Sequence, residues 1–99
     1  MGETERSDKG MKIREGYILR QLAEEYMVVA VGKAAKDFNG MIRLNETGAF
    51  IWKKLETGCT EEELVRNILE RYDGIDVKSA QKDLRNFLDL VGFAIDKLE

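Results

Sequence analysis

The side chains able to do chemistry in this sequence are few, and their types narrow that chemistry sharply. Of 99 residues none is histidine, and one, Cys59, is cysteine. Histidine is the usual general base near neutral pH and the commonest metal ligand. Ser-His-Asp and Cys-His nucleophilic arrangements and histidine- or multi-cysteine zinc sites are therefore excluded within one chain. Carboxylates remain, with Glu61, Glu62 and Glu63 in a run. Behind Thr60 these take the form of a capping box, threonine followed three residues later by glutamate, at the start of a helix. The helix dipole favours acids there without any acid–base task. Cys59 lies between two expected helices with no histidine to activate it, where a small apolar side chain suffices. Carboxylate-only catalysis stays open in principle, but nothing points to it. The chain reads as a non-catalytic protein that needs no cofactor.

The elements that position these residues run strands first, helices after. Tyr17–Leu22 and residues 26–31 are rich in β-branched and aromatic types, with a short turn at 23–25 between them. The second run is apolar at every position, so it needs cover on both faces or offers one face to a partner. Residues 32–39 form a looser connection that could act as a hinge for strand exchange, which leaves monomer and swapped dimer both open. Asn39-Gly40 is a turn signal because both residues tolerate positive φ, and Met41–Leu44 reads as a third strand. Asn45 is a favourable N-cap for a helix whose apolar residues Ile51, Trp52 and Leu55 lie three and four apart, with Gly58 placed to end it. A second helix after Thr60 buries Leu64, Val65, Ile68, Leu69 and Tyr72 and stops at Asp73-Gly74. The third covers Val77–Val91. At 100° per residue Val77, Ala80, Leu84, Phe87, Leu88 and Val91 fall within one stripe about 100° wide, the expected core face. Leu90 projects away from that stripe, beside Asp83 and Asn86. Residues 93–95 are expected to form a last short strand. The fold class is α+β: a three-stranded antiparallel sheet followed by a three-helix bundle, winged helix-turn-helix-like.

Trp52, alone of its type, shares a helix face with Ile51 and Leu55 and reads as core. The Asn45–Gly48 stretch resembles a binding loop, yet an N-cap asparagine explains it without a ligand. Met41 opens the third strand, and methionine suits adaptable peptide surfaces. Arg43 either pairs with an acidic ligand residue or faces water.

The sequence has no stretch approaching the ~20 consecutive apolar residues of a membrane span, and its first ten residues lack the apolar centre of a signal peptide. Residues 1–10 read as a disordered tail and 11–99 as one domain. A single thiol suits a reducing compartment, and the chain is expected in the cytoplasm. Sixteen basic against nineteen acidic residues give a charge of −3, which speaks against a domain built to neutralise phosphates.

The segment Arg43-Leu44-Asn45-Glu46-Thr47-Gly48-Ala49-Phe50-Ile51-Trp52, then Leu55 and Gly58-Cys59-Thr60-Glu61-Glu62-Glu63-Leu64, resembles the PqqD family, named for a small protein of pyrroloquinoline quinone (PQQ) biosynthesis. The resemblance continues through Tyr72-Asp73-Gly74 to Asp83, Phe87 and Leu88. It implies a RiPP recognition element, a domain similar in fold to winged helix-turn-helix proteins. Such a domain binds the leader segment of a ribosomally made precursor peptide and presents it to a tailoring enzyme, often a radical S-adenosylmethionine enzyme. In the family the leader adds as a strand beside the third strand and packs against the third helix. Carried over, that makes Met41, Ile42, Arg43, Asp83, Phe87 and Leu90 the peptide-binding residues. The match does not by itself assign the PQQ pathway. The alternative is DNA binding by the third helix, whose exposed Lys78, Lys82 and Arg85 are offset by Asp83 and Asp89. No nucleic-acid or membrane partner is expected.

Overall fold

The computed structural model describes residues 10–37 and 40–97. The expected tail, apart from Gly10, and Asn39 of the expected turn lie outside these residues. The elements are β1 (Met11–Ile13), β2 (Tyr17–Leu22), β3 (Glu25–Ala30), α1 (Ala34–Asp37), β4 (Met41–Leu44), α2 (Glu46–Glu56), α3 (Glu61–Arg71), α4 (Val77–Val91), a 3-10 turn (Gly92–Ala94) and β5 (Ile95–Lys97). The predicted three strands are β2, β3 and β4, an antiparallel sheet in that order, and the predicted three helices are α2, α3 and α4.

The β2–β3 hairpin is tighter than its sequence suggests. Leu22 pairs with Glu25, so Ala23 and Glu24 alone make the turn. Ala23 has φ 58°, and Glu24 is not in the positive-φ region. That is the pattern of a type II′ turn, which matches the twist of the strands and ordinarily takes glycine first. For alanine this backbone costs roughly 1–2 kcal/mol, against a glycine entropy penalty of about 0.5–1. Ala23→Gly is expected to raise the chemical denaturation midpoint modestly, and Ala23→Val to lower it.

Val28, at the centre of β3, is completely buried, and it faces Leu19 on β2 and Ile42 on β4. Period-2 alternation puts Tyr17, Leu19, Tyr26, Val28, Ile42 and Leu44 on the covered face. The helices close over it with Ile51, Trp52 and Leu55 from α2, Leu64 and Ile68 from α3, and Ala80, Leu84, Phe87 and Val91 from α4. Helices α2 and α3 start on their expected caps, and α4 starts on one that was not expected, Asp76. Asn45 Oδ1 accepts from Gly48 N at 2.7 Å, and Thr60 and Glu63 form the reciprocal capping box at 3.1 and 2.8 Å. Asp76 Oδ1 accepts from Ser79 N at 2.8 Å. Gly58, at φ 88°, adopts the left-handed conformation that ends α2.

Three expectations are corrected. Val77 is not core but 50% exposed, because it is the first residue of α4, where the stripe runs past the end of the packed surface. Val31 lies outside β3 and is also exposed: its N–H turns to Gly16 O at 2.7 Å instead of continuing the ladder. The final strand is not 93–95 but Ile95–Lys97, since its register is set by an unexpected partner, β1, through Ile13–Ile95 and Met11–Lys97. Met11 also exchanges backbone hydrogen bonds with Cys59, at 2.7 and 3.0 Å. This explains the placement of the lone cysteine: its backbone joins β1 to the α2–α3 junction, while burial and the nearby Glu63 carboxylate push its thiol above the usual range despite Lys54.

Candidate functional site

β4 is an edge. Among the described residues it pairs with β3 alone, through Met41–Val29, Ile42–Val28, Arg43–Met27 and Leu44–Tyr26. In an antiparallel ladder alternate residues turn their N–H and C=O groups away from the partner, so the outer side of β4 presents unpaired donors and acceptors.

Beside this edge runs a groove of about 310 Å³. β4 and its exit contribute Arg43, Leu44 and Asn45; the first turns of α2 contribute Thr47, Gly48 and Ile51; α4 contributes Asp83, Asn86, Phe87 and Leu90. A single residue, Asn45, joins β4 to α2, which places the strand edge and the helix start in one wall. On α4 the spacing 83, 86, 87, 90 aligns four side chains on one helical face. The floor is apolar and closed: Leu44, Ile51 and Phe87 are at most 7% exposed. The rim is polar apart from Leu90, which is 50% exposed.

Gly48 shapes this floor by lacking a side chain. Its backbone is ordinary helix, so conformational freedom does not explain it. A Cβ there would lie 3.4 Å from Phe87 Cδ1 and 3.2 Å from the capping Asn45 Oδ1. The glycine lets the start of α2 approach α4 while leaving depth between them.

Of the residues predicted from sequence, Arg43, Asp83, Phe87 and Leu90 come together in the groove. Met41 and Ile42 do not line it. Met41 is exposed on the outer sheet face, and Ile42 points inward against the core. Phe87 does double service, as a core side chain and as groove floor. Sequence reasoning did not assign Leu44, Asn45, Thr47, Gly48, Ile51 and Asn86 to a site, having weighed the Asn45–Gly48 stretch as a binding loop and favoured the N-cap. Asn86 carried a usable signal, since it stands three residues from Asp83 and four from Leu90. The role of Gly48, a close approach between elements distant in sequence, was not visible in the Asn45–Gly48 stretch.

Electrostatically the rim has two signs. Arg43 Nε lies 3.6 Å from Glu25 Oε1, with both side chains more than half exposed, so the pair is weak and easily exchanged. Asp83 has no cation within ion-pair distance among the described residues. Its helical neighbours three and four residues away are Ser79, Ala80, Asn86 and Phe87, none of them basic.

A second hollow, of about 330 Å³, lies between α3 and α4 and is lined by Glu61, Glu62, Val65, Arg66, Gln81, Leu84 and Arg85. It borders helices only and so offers no strand edge. At the start of α4, where a DNA-reading helix would approach phosphate, stands the Asp76 carboxylate. Hydrogen bonds from the Ser79 backbone and side chain hold it below the usual carboxylate range. Because the folded value is depressed, its stabilising effect is present above the unfolded value and is lost as pH falls through the folded one. Asp76→Asn keeps a cap without the titration. Compared with wild type, it is expected to lose less α4 amide protection on acidification below the usual carboxylate range, measured by hydrogen exchange.

Among the described residues no helix is long and apolar enough to cross a membrane. The family model described as "Coenzyme PQQ synthesis protein D (PqqD)" matches residues 25–91, which takes in β3, β4, α2, α3 and α4. Among solved structures the chain is similar to "TbiB1 in Complex with the TbiA(beta) Leader Peptide". The identity is 26%, the TM-score is 0.66, and the match covers 83% of this chain and 88% of that one. No curated protein matches the chain.

Proposed function

The chain belongs to the PqqD family, and on that premise we propose that it captures the leader of a ribosomally made precursor peptide by strand addition and holds it for a tailoring enzyme. The observation that carries this reading is the open edge of β4 lying against an apolar-floored groove. An extended peptide needs both: backbone groups to pair with, which give affinity for any sequence, and pockets for alternate side chains, which select among sequences. The backbone of Met41, Ile42 and Arg43 supplies the first, and Asp83, Phe87 and Leu90 the second. Among the described residues, neither hollow is lined by the other edge strand, β2. The similarity to TbiB1, solved with a leader peptide, supports the same reading.

In this role the chain does no chemistry of its own, in keeping with a sequence without histidine. A radical S-adenosylmethionine enzyme is the type of partner that the family resemblance implies.

Calorimetric titration tests the proposal. The ligands are the N-terminal halves of short peptides encoded beside the gene. Binding of one of them at micromolar affinity or better is the expected result, and the peptide then identifies the pathway. Absence of heat with every such peptide, up to hundreds of micromolar, overturns capture by this chain alone.

A further inference from the structure

The two signs on the groove rim carry an inference about which peptides fit, and it rests on the leader-binding reading above. Cross-strand register places Arg20, Met27 and Arg43 in one row on the outer face of the sheet, opposite to the covered face that holds Val28, Ile42 and Leu44. A strand added to β4 continues that alternation. Its residue beside Arg43 points to the outer face, and the residues before and after it point to the groove side. On the groove side α4 presents Asp83 and then, one turn later, Phe87, a rise of about 6 Å. Two residues of extended strand advance about 6.8 Å. The two groove-facing residues that flank the Arg43 partner are therefore spaced about as far apart as Asp83 and Phe87 are along α4.

We infer that the groove selects an extended peptide with three consecutive features: an acidic side chain beside Arg43, flanked by a cationic side chain toward Asp83 and an aliphatic one toward Phe87 and Leu90. The charges on the protein are available for this. Arg43 is held by an exposed and weak contact to Glu25, which an incoming carboxylate replaces on the same sheet face. Asp83 has no cationic neighbour among the described residues. Opposite charges placed side by side across strands are favourable, and like charges are unfavourable. The arrangement therefore discriminates twice, by attraction of the matching pattern and by repulsion of its inverse. The order of cation and aliphatic residue along the peptide follows from the direction in which it lies.

The test is selection from a displayed library of random linear peptides on the full chain, run in parallel on wild type, Arg43→Glu and Asp83→Lys. Both substitutions are at exposed positions, and circular dichroism checks that each variant is folded. Wild type is expected to enrich an acidic residue flanked by a basic and an aliphatic one. Arg43→Glu is expected to change the central preference to Lys or Arg, and Asp83→Lys to change the flanking cation to an acid. Each reversal is expected at about fivefold in residue frequency, the scale of a cross-strand charge pair. Peptides that bind wild type, lose affinity for Leu90→Asp, and yet keep the same charges in all selections overturn this inference and leave the leader-binding reading intact. Recovery of no peptide that is sensitive to Leu90→Asp overturns both.

Discussion

Trp52→Ala is expected to destabilise the fold by about 3–5 kcal/mol, the scale for emptying a buried aromatic site. Trp52 is completely buried, on the α2 face that meets the sheet and the other helices. A domain of this size has of the order of 5–15 kcal/mol in all, so the variant should be largely unfolded at temperatures the wild type tolerates. The indole N–H makes the contrast with phenylalanine informative. Among the described residues nothing accepts a hydrogen bond from Trp52 Nε1, and a buried, unpaired donor costs about 1–3 kcal/mol. Trp52→Phe removes that donor while it leaves a smaller void, and the two effects offset. It is therefore expected to stay folded with a midpoint near that of wild type. Urea unfolding followed by circular dichroism compares the three proteins. A Trp52→Phe loss as large as that of Trp52→Ala would mean that the indole N–H is satisfied and the site demands the full ring system.

Leu90→Asp carries the largest expected effect on binding. Half of the Leu90 side chain is open to solvent at the apolar end of the groove, so its replacement costs little in the free protein. Surface changes of this sort stay within about 0.5 kcal/mol, to which an acid in the last turn of α4 adds roughly 0.3–1 kcal/mol against the helix dipole. A bound peptide loses an apolar contact and meets a second carboxylate on the face that already holds Asp83. Affinity for a captured leader is expected to fall by at least about 1 kcal/mol, roughly fivefold, with the fold retained. Leu90→Lys separates the causes, because lysine suits the dipole yet removes the same contact. Weakening by both variants identifies packing as the origin, and weakening by the aspartate alone identifies charge. Unfolding of either variant would make Leu90 a core residue and remove it from the groove.

These two sites also mark how far the sequence reaches. The periodicity of apolar residues is enough to identify α2, α3 and α4 and to assign Trp52, Leu84 and Phe87 to their buried faces, because helix and strand repeats are local properties. The caps Asn45 and Thr60 stand where the helices begin for the same reason. Leu90 was separable from the core stripe by angle alone. The absence of histidine limited the available chemistry before any fold was known.

What local pattern could not supply depends on which elements meet. β1 is three residues long and has no signal of its own; it exists because β5 and the backbone of Cys59 give it partners. Val77 fits the stripe of α4 and is nonetheless exposed, since burial requires a neighbour as well as an angle. The groove is likewise a tertiary object. Strand order leaves β4 with one free side, Gly48 admits the start of α2 to within contact of Phe87, and α4 then brings Asp83, Asn86 and Leu90 alongside an edge some forty residues earlier. The sequence by itself determined the kinds of residue, the helices and the chemistry that is excluded. The tertiary structure decided which backbone edge stays unpaired among the described residues and which side chains stand beside it, because both follow from packing between segments that share no local pattern.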